Sequence, residues 1–179
     1  FIRALHRFPK PLIALTHGIT MGGGAGLSVN ARYRIATENT VFSMPEVFIG
    51  SIPDVGATRF FNRCPGRIGL YLAMTGTRIG AADALYCGLF THFVPQDRFE
   101  DLTEALTEGD IEATLARYAT DPGEAALALL QPEIDHCFAR PSVEAILAAL
   151  RERQADWSRA ALKAMESASP LSLKIVFRQ

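Results

Sequence analysis

The sequence contains no CxxC pair, and its three cysteines, Cys64, Cys87 and Cys137, are far apart and odd in number. That sets aside a disulfide framework and a zinc knuckle and fits a reducing, intracellular setting. No metal centre is expected. No apolar run is long enough to span a bilayer as a helix, and no signal peptide is legible, so no membrane partner is expected. Charge excess is missing too: 18 Lys and Arg face 19 Asp and Glu, for a net charge of −1. Nothing there points to nucleic acid, and no run of like charge marks a disordered tail. The sequence also opens on Phe1 rather than methionine and stops at Gln179 inside a helical pattern, as a piece of a longer protein would.

What remains is a chain of 179 residues, 49% of them hydrophobic, the size of one ordinary domain or a large part of one. Ile2, Leu5 and Phe8 form a helical stripe that Pro9 stops. Residues 11–16, 32–37 and 40–43 read as short strands, and "LFTHFV" as a closing one. Helices are predicted at 24–30, from Asp54 to about Cys64, at 67–74 and at 80–88. Between them runs the loop "MPEVFIGSIPDVG", punctuated by Pro45, Pro53 and two glycines. Asp54 stands where an N-cap would. Beyond Pro95 the composition turns to Ala, Leu and Glu. Residues 98–160 read as helices broken at Asp121-Pro122-Gly123 and Arg140-Pro141, and Ser169-Pro170 opens a last one. Strand–helix alternation followed by helices predicts an α/β fold, with residues 1–95 as its core and 96–179 as a helical C-terminal portion.

The densest local feature is "ITMGGGAGL", residues 19–27, with four glycines in five positions. Bare backbone lets other atoms approach closely, and the first N–H groups of a helix have no intrahelical partner. Such a turn suits an anion, either a phosphate or an oxyanion that exists only during a reaction. No Gly-Lys-Ser/Thr follows, and a GxGxxG reading places Leu27 at its third glycine. "GLSVN" fails as a nucleophile elbow at Asn30, which leaves Ser28 as an ordinary helix residue. On spacing alone, an oxyanion site and tight packing of a helix on a strand both stand.

The stretches "KPLIALTHGITMGGGAGLSV", "FSMPEVFIGSIPDVGATRF" and "MTGTRIGAADALYCGL" resemble the enoyl-CoA hydratase/isomerase (crotonase) superfamily. "HGITMGGG", "MPE", "PDVG", "THFV" and "SPLSLKIVFRQ" look like its 3-hydroxyisobutyryl-CoA hydrolase branch. The resemblance is dense over residues 10–94, weak to about 135 and good again to the end. It implies a crotonase-like ββα superhelix, here partial, with C-terminal helices that suit a homo-oligomer. It implies an acyl-CoA substrate and no separate cofactor, since coenzyme A is part of the substrate. The compartment implied is cytoplasmic in a bacterium or the mitochondrial matrix in a eukaryote. Hydratases of the superfamily use two glutamates. Gly26 matches the first, so that acid is absent; Glu46 matches the second; and Asp54 stands where hydratases usually have glycine.

The resemblance therefore implies thioester hydrolysis with Glu46 as general base or attacking carboxylate. Asp54 would orient the substrate hydroxyl or share a proton with Glu46. The glycines Gly22, Gly23 and Gly24 would form the substrate turn, with Gly23 giving one oxyanion N–H. The other donor belongs, in this family, to an Ala-Gly-Gly-Asp-like segment upstream. No such segment occurs ahead of the glycine stretch, which implies half an oxyanion hole. Two close carboxylates in an apolar loop cannot both ionise cheaply, so one pKa should rise. Met44, Val47, Phe48, Ile49 and Ile52 would form the low-dielectric wall. An enoyl-CoA isomerase or hydratase, and a non-catalytic acyl-CoA-binding or oligomerisation module, are the alternatives. His17 and His92 read as structural, His6 and His136 have no acidic partner at metal spacing, and Trp157 reads as packing. Arg59 and Arg63 could meet a phosphate or simply form a solvated helix face.

Overall fold

The computed structural model describes residues 2–179, without the side chains of Ile2 and His6, so the parts foreseen for those two side chains lie outside the described residues. Helix α1 (Ile2–Arg7) stops ahead of Pro9, as its stripe predicts. Strands β1 (Ile13–Leu15) and β2 (Ile19–Met21) follow, then α2 (Gly23–Val29), β3 (Tyr33–Ala36) and β4 (Val41–Ser43). Consecutive strands enter different sheets. β1 pairs in parallel with β3, Ile13 opposite Tyr33, while β2 pairs in parallel with β4, Ile19 opposite Val41. Each strand thus stacks on its counterpart one turn later, which is the ββα superhelix. β5 (His92–Phe93) closes the first sheet against β3. Strand β2 is not among the predicted elements. Ile19 is 73% exposed, so the three residues show no apolar run to betray them.

After β4 come a 3₁₀ turn at Glu46–Ile49, α3 (Ala57–Phe61), α4 (Ile68–Thr75) and α5 (Ala81–Tyr86). Every residue of α4 except Leu70 is buried, as expected of a helix covered on all sides rather than one with a solvent face. Around it lie α8 (Ala126–Phe138), α10 (Asp156–Ser167) and α11 (Pro170–Arg178), with α9 (Val143–Glu152) packed on those three. Helices α6 (Phe99–Glu108) and α7 (Ile111–Tyr118) pack on each other and on the first sheet, in a second core with Tyr33, Ile35 and Val94. The side chains of Asp110, Ser142 and Ser169 cap α7, α9 and α11, each giving a backbone donor the acceptor it would otherwise lack. Phe42 packs edge-on to Phe60, Phe61 and Phe90, and Trp157 packs edge-on to Tyr71, the packing role its sequence context implied. The helical region also holds the loop after β4: the Ser169 N–H donates to the Val47 carbonyl at 2.9 Å. Among the described residues no helix is long and apolar enough to cross a membrane.

Candidate functional site

Gly22 takes φ 51°, ψ −123° between β2 and α2, a backbone state that a side chain would strain. A Cβ there would also come within 3.4 Å of Glu46 Oε1. The glycine turn and Glu46 therefore face each other. Helix α2 begins at once, its first bond running from the Gly26 N–H to the Gly22 carbonyl at 3.0 Å. The N–H groups of Gly23 and Gly24 have no acceptor among the described residues, and both residues are exposed. A Cβ at either would meet nothing within 4 Å. The fold accounts for glycine at 22 but not at 23 and 24, where the space in front of the backbone stays open. With only seven residues in α2, the individual N–H groups rather than a macrodipole are the available donors.

Glu46 opens the 3₁₀ turn directly after β4, between the fully buried Met44 and Val47. Its Oε2 is buried with no hydrogen-bond partner among the described residues, a costly state for a carboxylate. Burial pushes its pKa above the usual carboxylate range; its own backbone N–H opposes this, and the charge of Asp54 adds to it. A raised folded-state pKa means that the folded protein binds this proton more tightly than the unfolded chain does. The stability it contributes is complete below the ordinary glutamate pKa and is lost as pH rises through the raised value. Stability measured from acid toward neutral pH should therefore contain a falling component that Glu46→Gln removes. Coincident Tm–pH profiles for the two proteins would contradict this.

Asp54 does not cap α3. Gly56, at φ 93°, is the N-cap, and Asp54 gives only its backbone carbonyl, to the Ala57 N–H at 2.7 Å. The reason is the intervening Val55, a β-branched residue at φ 45°. Two successive left-handed residues carry the chain onward before the helix can start. The Asp54 side chain is exposed, yet close enough for its charge to act on Glu46. The expected apolar wall is only partly formed. Met44 and Val47 are buried and Ile52 half-buried, but Phe48 is 40% exposed and Ile49 81% exposed.

Sequence reasoning missed what holds the Asp54 turn. A Cβ at Gly26 would overlap the Val55 side chain. The space beside Gly26 is thus filled by Val55, the residue at φ 45°. The Asn30 side-chain amide donates to the carbonyls of Gly26, at 2.6 Å, and Val55, at 3.1 Å, tying the end of α2 to the turn. The Val flanked by Asp and Gly was the one local signal, since glycine is the ordinary residue at positive φ.

Other candidates separate cleanly. The Ser28 hydroxyl donates to the carbonyls of Gly24 and Ala25 within its own helix. His92 Nδ1 lies 2.8 Å from Thr91 Oγ1, consistent with a structural role. His17 was expected to be structural as well, but it is exposed and has no side-chain hydrogen bond among the described residues; it follows the buried Thr16, whose hydroxyl donates to the Ile35 carbonyl, and the strand there ends at Leu15. Among the described residues no three His, Cys, Asp or Glu side chains gather as metal ligands do.

The sequence pattern of the enoyl-CoA hydratase/isomerase family matches residues 1–179. A probable 3-hydroxyisobutyryl-CoA hydrolase 2 of Arabidopsis thaliana is 43% identical, the match covering 97% of this chain and 49% of that protein. The mitochondrial 3-hydroxyisobutyryl-CoA hydrolase of Homo sapiens is 39% identical over 95% of this chain and 47% of its own length. The chain spans about half the length of the curated relatives it matches. Among solved structures, a carnitinyl-CoA dehydratase from Mycobacterium thermoresistibile superposes with a TM-score of 0.95 at 37% identity, covering 99% of this chain and 52% of that one. With the ββα superhelix and the family pattern in agreement along its whole length, the chain belongs to the enoyl-CoA hydratase/isomerase family.

Proposed function

We propose that this chain carries both carboxylates and one oxyanion donor of an acyl-CoA thioester hydrolase that acts on a short-chain 3-hydroxyacyl-CoA, 3-hydroxyisobutyryl-CoA first of all. The observation that carries this reading is the unpartnered, buried Oε2 of Glu46 beside a glycine turn whose Gly23 N–H is unclaimed. A thioester carbonyl seated between them would develop negative charge on oxygen as its carbon is attacked. The Gly23 N–H would hold that charge, a contribution whose loss typically costs about 2.7–4 kcal/mol. Glu46 would either take a proton from the attacking water and pass it to the departing thiolate as the C–S bond breaks, or attack directly. In the second case the thiolate leaves and takes a proton from water, and a second water hydrolyses the acyl–Glu46 anhydride to free the acid and restore the carboxylate. Coenzyme A enters as part of the substrate. Filling of the Gly26 position by Val55 speaks against a two-glutamate hydration.

The test uses a protein carrying this chain at the length of its curated relatives. Supplied separately with 3-hydroxyisobutyryl-CoA and a 3-enoyl-CoA, it should release free thiol from the first and leave the second as a thioester. Isomerised product without thiol would give the isomerase reading; no turnover of either would give the binding-module reading. Asp54→Asn carries a further expectation. The Asp54 charge raises the Glu46 pKa, so its removal lowers that pKa. The acid limb of kcat/KM, which reports Glu46 becoming ionised, should then move to lower pH. A limb that stays in place or moves upward would remove Asp54 from this role.

A further inference from the structure

Away from the glycine turn, positive charge gathers between the end of α2 and α3. Arg34, Arg59 and Arg63 line one pocket of about 180 Å³ together with Asn30, Gly56 and Phe60. No Asp or Glu lines it. The chain as a whole has no basic excess, 18 Lys and Arg against 19 Asp and Glu, so three guanidinium groups around one acid-free pocket are not a sample of its average surface. The sequence brought together only Arg59 and Arg63; the fold adds Arg34 from β3.

Arg34 is the informative member. It is half-buried, and it donates to the carbonyls of Leu89 at 2.8 Å, Ala31 at 2.9 Å and Gly88 at 3.3 Å. These carbonyls fix the plane of the guanidinium without supplying net negative charge. No carboxylate among the described residues pairs with it. A guanidinium has five N–H donors and keeps its proton in proteins, so two donors remain for whatever enters the pocket. The C-terminal ends of α2 and α3 bring opposing partial charge. Helices of seven and five residues carry less than the roughly half charge of a long helix, against the whole positive charges of Arg34 and Arg63.

We propose that this pocket binds a phosphate-class dianion, either the free ion or the phosphomonoester of a larger ligand. A carboxylate would be satisfied by one guanidinium fork. Arg34, held rigid, and Arg63 together supply two guanidinium forks, which match the several acceptor oxygens and double charge of phosphate. The pocket shares Asn30 and Gly56 with the turn next to Asp54, so the ligand sits against the back of that turn. This inference does not depend on the thioesterase reading.

The test is an NMR titration, with inorganic phosphate at low ionic strength, of a protein carrying this chain at the length of its curated relatives. The Gly56 amide and the Arg34 Nε–H should shift saturably. Arg34→Ala would release three backbone carbonyls and risk misfolding, so Arg63→Ala and Arg63→Glu carry the test. The first should weaken phosphate binding about tenfold and the second abolish it, while Arg178→Ala, at an exposed position away from the pocket, leaves it unchanged. CoA and dephospho-CoA separate the sources. Displacement of phosphate by CoA but not by dephospho-CoA identifies a phosphomonoester as occupant, and displacement by neither identifies the free ion. Absence of saturable shifts, chloride binding as tightly as phosphate, or equal affinity in Arg63→Ala and Arg178→Ala would overturn the proposal.

Discussion

Thioester hydrolysis should fall by about 10²–10⁴-fold in Glu46→Gln, the usual worth of a positioned acid or base. Gln keeps the shape of the side chain and cannot take a proton or act as a carboxylate nucleophile. The loss should appear in kcat and kcat/KM together, because the interaction is made only as the carbonyl is attacked. The same variant should be no less stable than the parent at neutral pH. Burial makes the Glu46 charge costly, and its Oε2 has no hydrogen bond among the described residues to lose. Lower activity with undiminished Tm would mark a residue kept for chemistry against its effect on stability. Wild-type thiol release by Glu46→Gln would remove Glu46 from the mechanism. Loss of activity accompanied by a large drop in Tm would instead give Glu46 a role in the fold.

Local pattern revealed most of the elements in this chain. The runs read as strands over 11–16 and 32–37 and the Ser169-Pro170 start of the last helix all produced the elements they predict. These signals lie within a few residues of what they specify. β2 escaped because its burial comes from Thr20, not from an apolar alternation, and because glycines flank it. The displaced cap at Gly56 escaped for a different reason. An aspartate ahead of a helix is a good cap on local grounds, and only the contact of Val55 with Gly26 forces the chain past it. That contact joins residues far apart in sequence, and neither residue type announces it. The site shows the same division. Its candidate residues came from resemblance, whereas the facing of Gly22 and Glu46, the orphaned Oε2 and the Asn30 bridge exist only once two turns of the superhelix are stacked.

Gly26→Ala tests that long-range contact directly. The added Cβ would overlap the Val55 side chain, beginning at its own Cβ, so no rotamer change at Val55 relieves it and the backbone must give. Overpacking of this kind costs about 1–3 kcal/mol, equivalent to a fall in Tm of roughly 2–10 °C for a chain of this size. Val55→Gly removes every atom of the overlap. It also frees the turn from a β-branched residue at φ 45°, a conformation glycine adopts without penalty. Gly26→Ala should therefore cost much less in the Val55→Gly background, with a coupling of about 1 kcal/mol or more between the two positions. The same logic governs any attempt to place an acid here. Gly26→Glu alone should destabilise the chain, and Gly26→Glu with Val55→Gly should recover most of the lost Tm, because valine now fills the space that the acid would need. Full stability in the single Gly26→Ala variant, or equal costs in both backgrounds, would show that Val55 does not occupy that place.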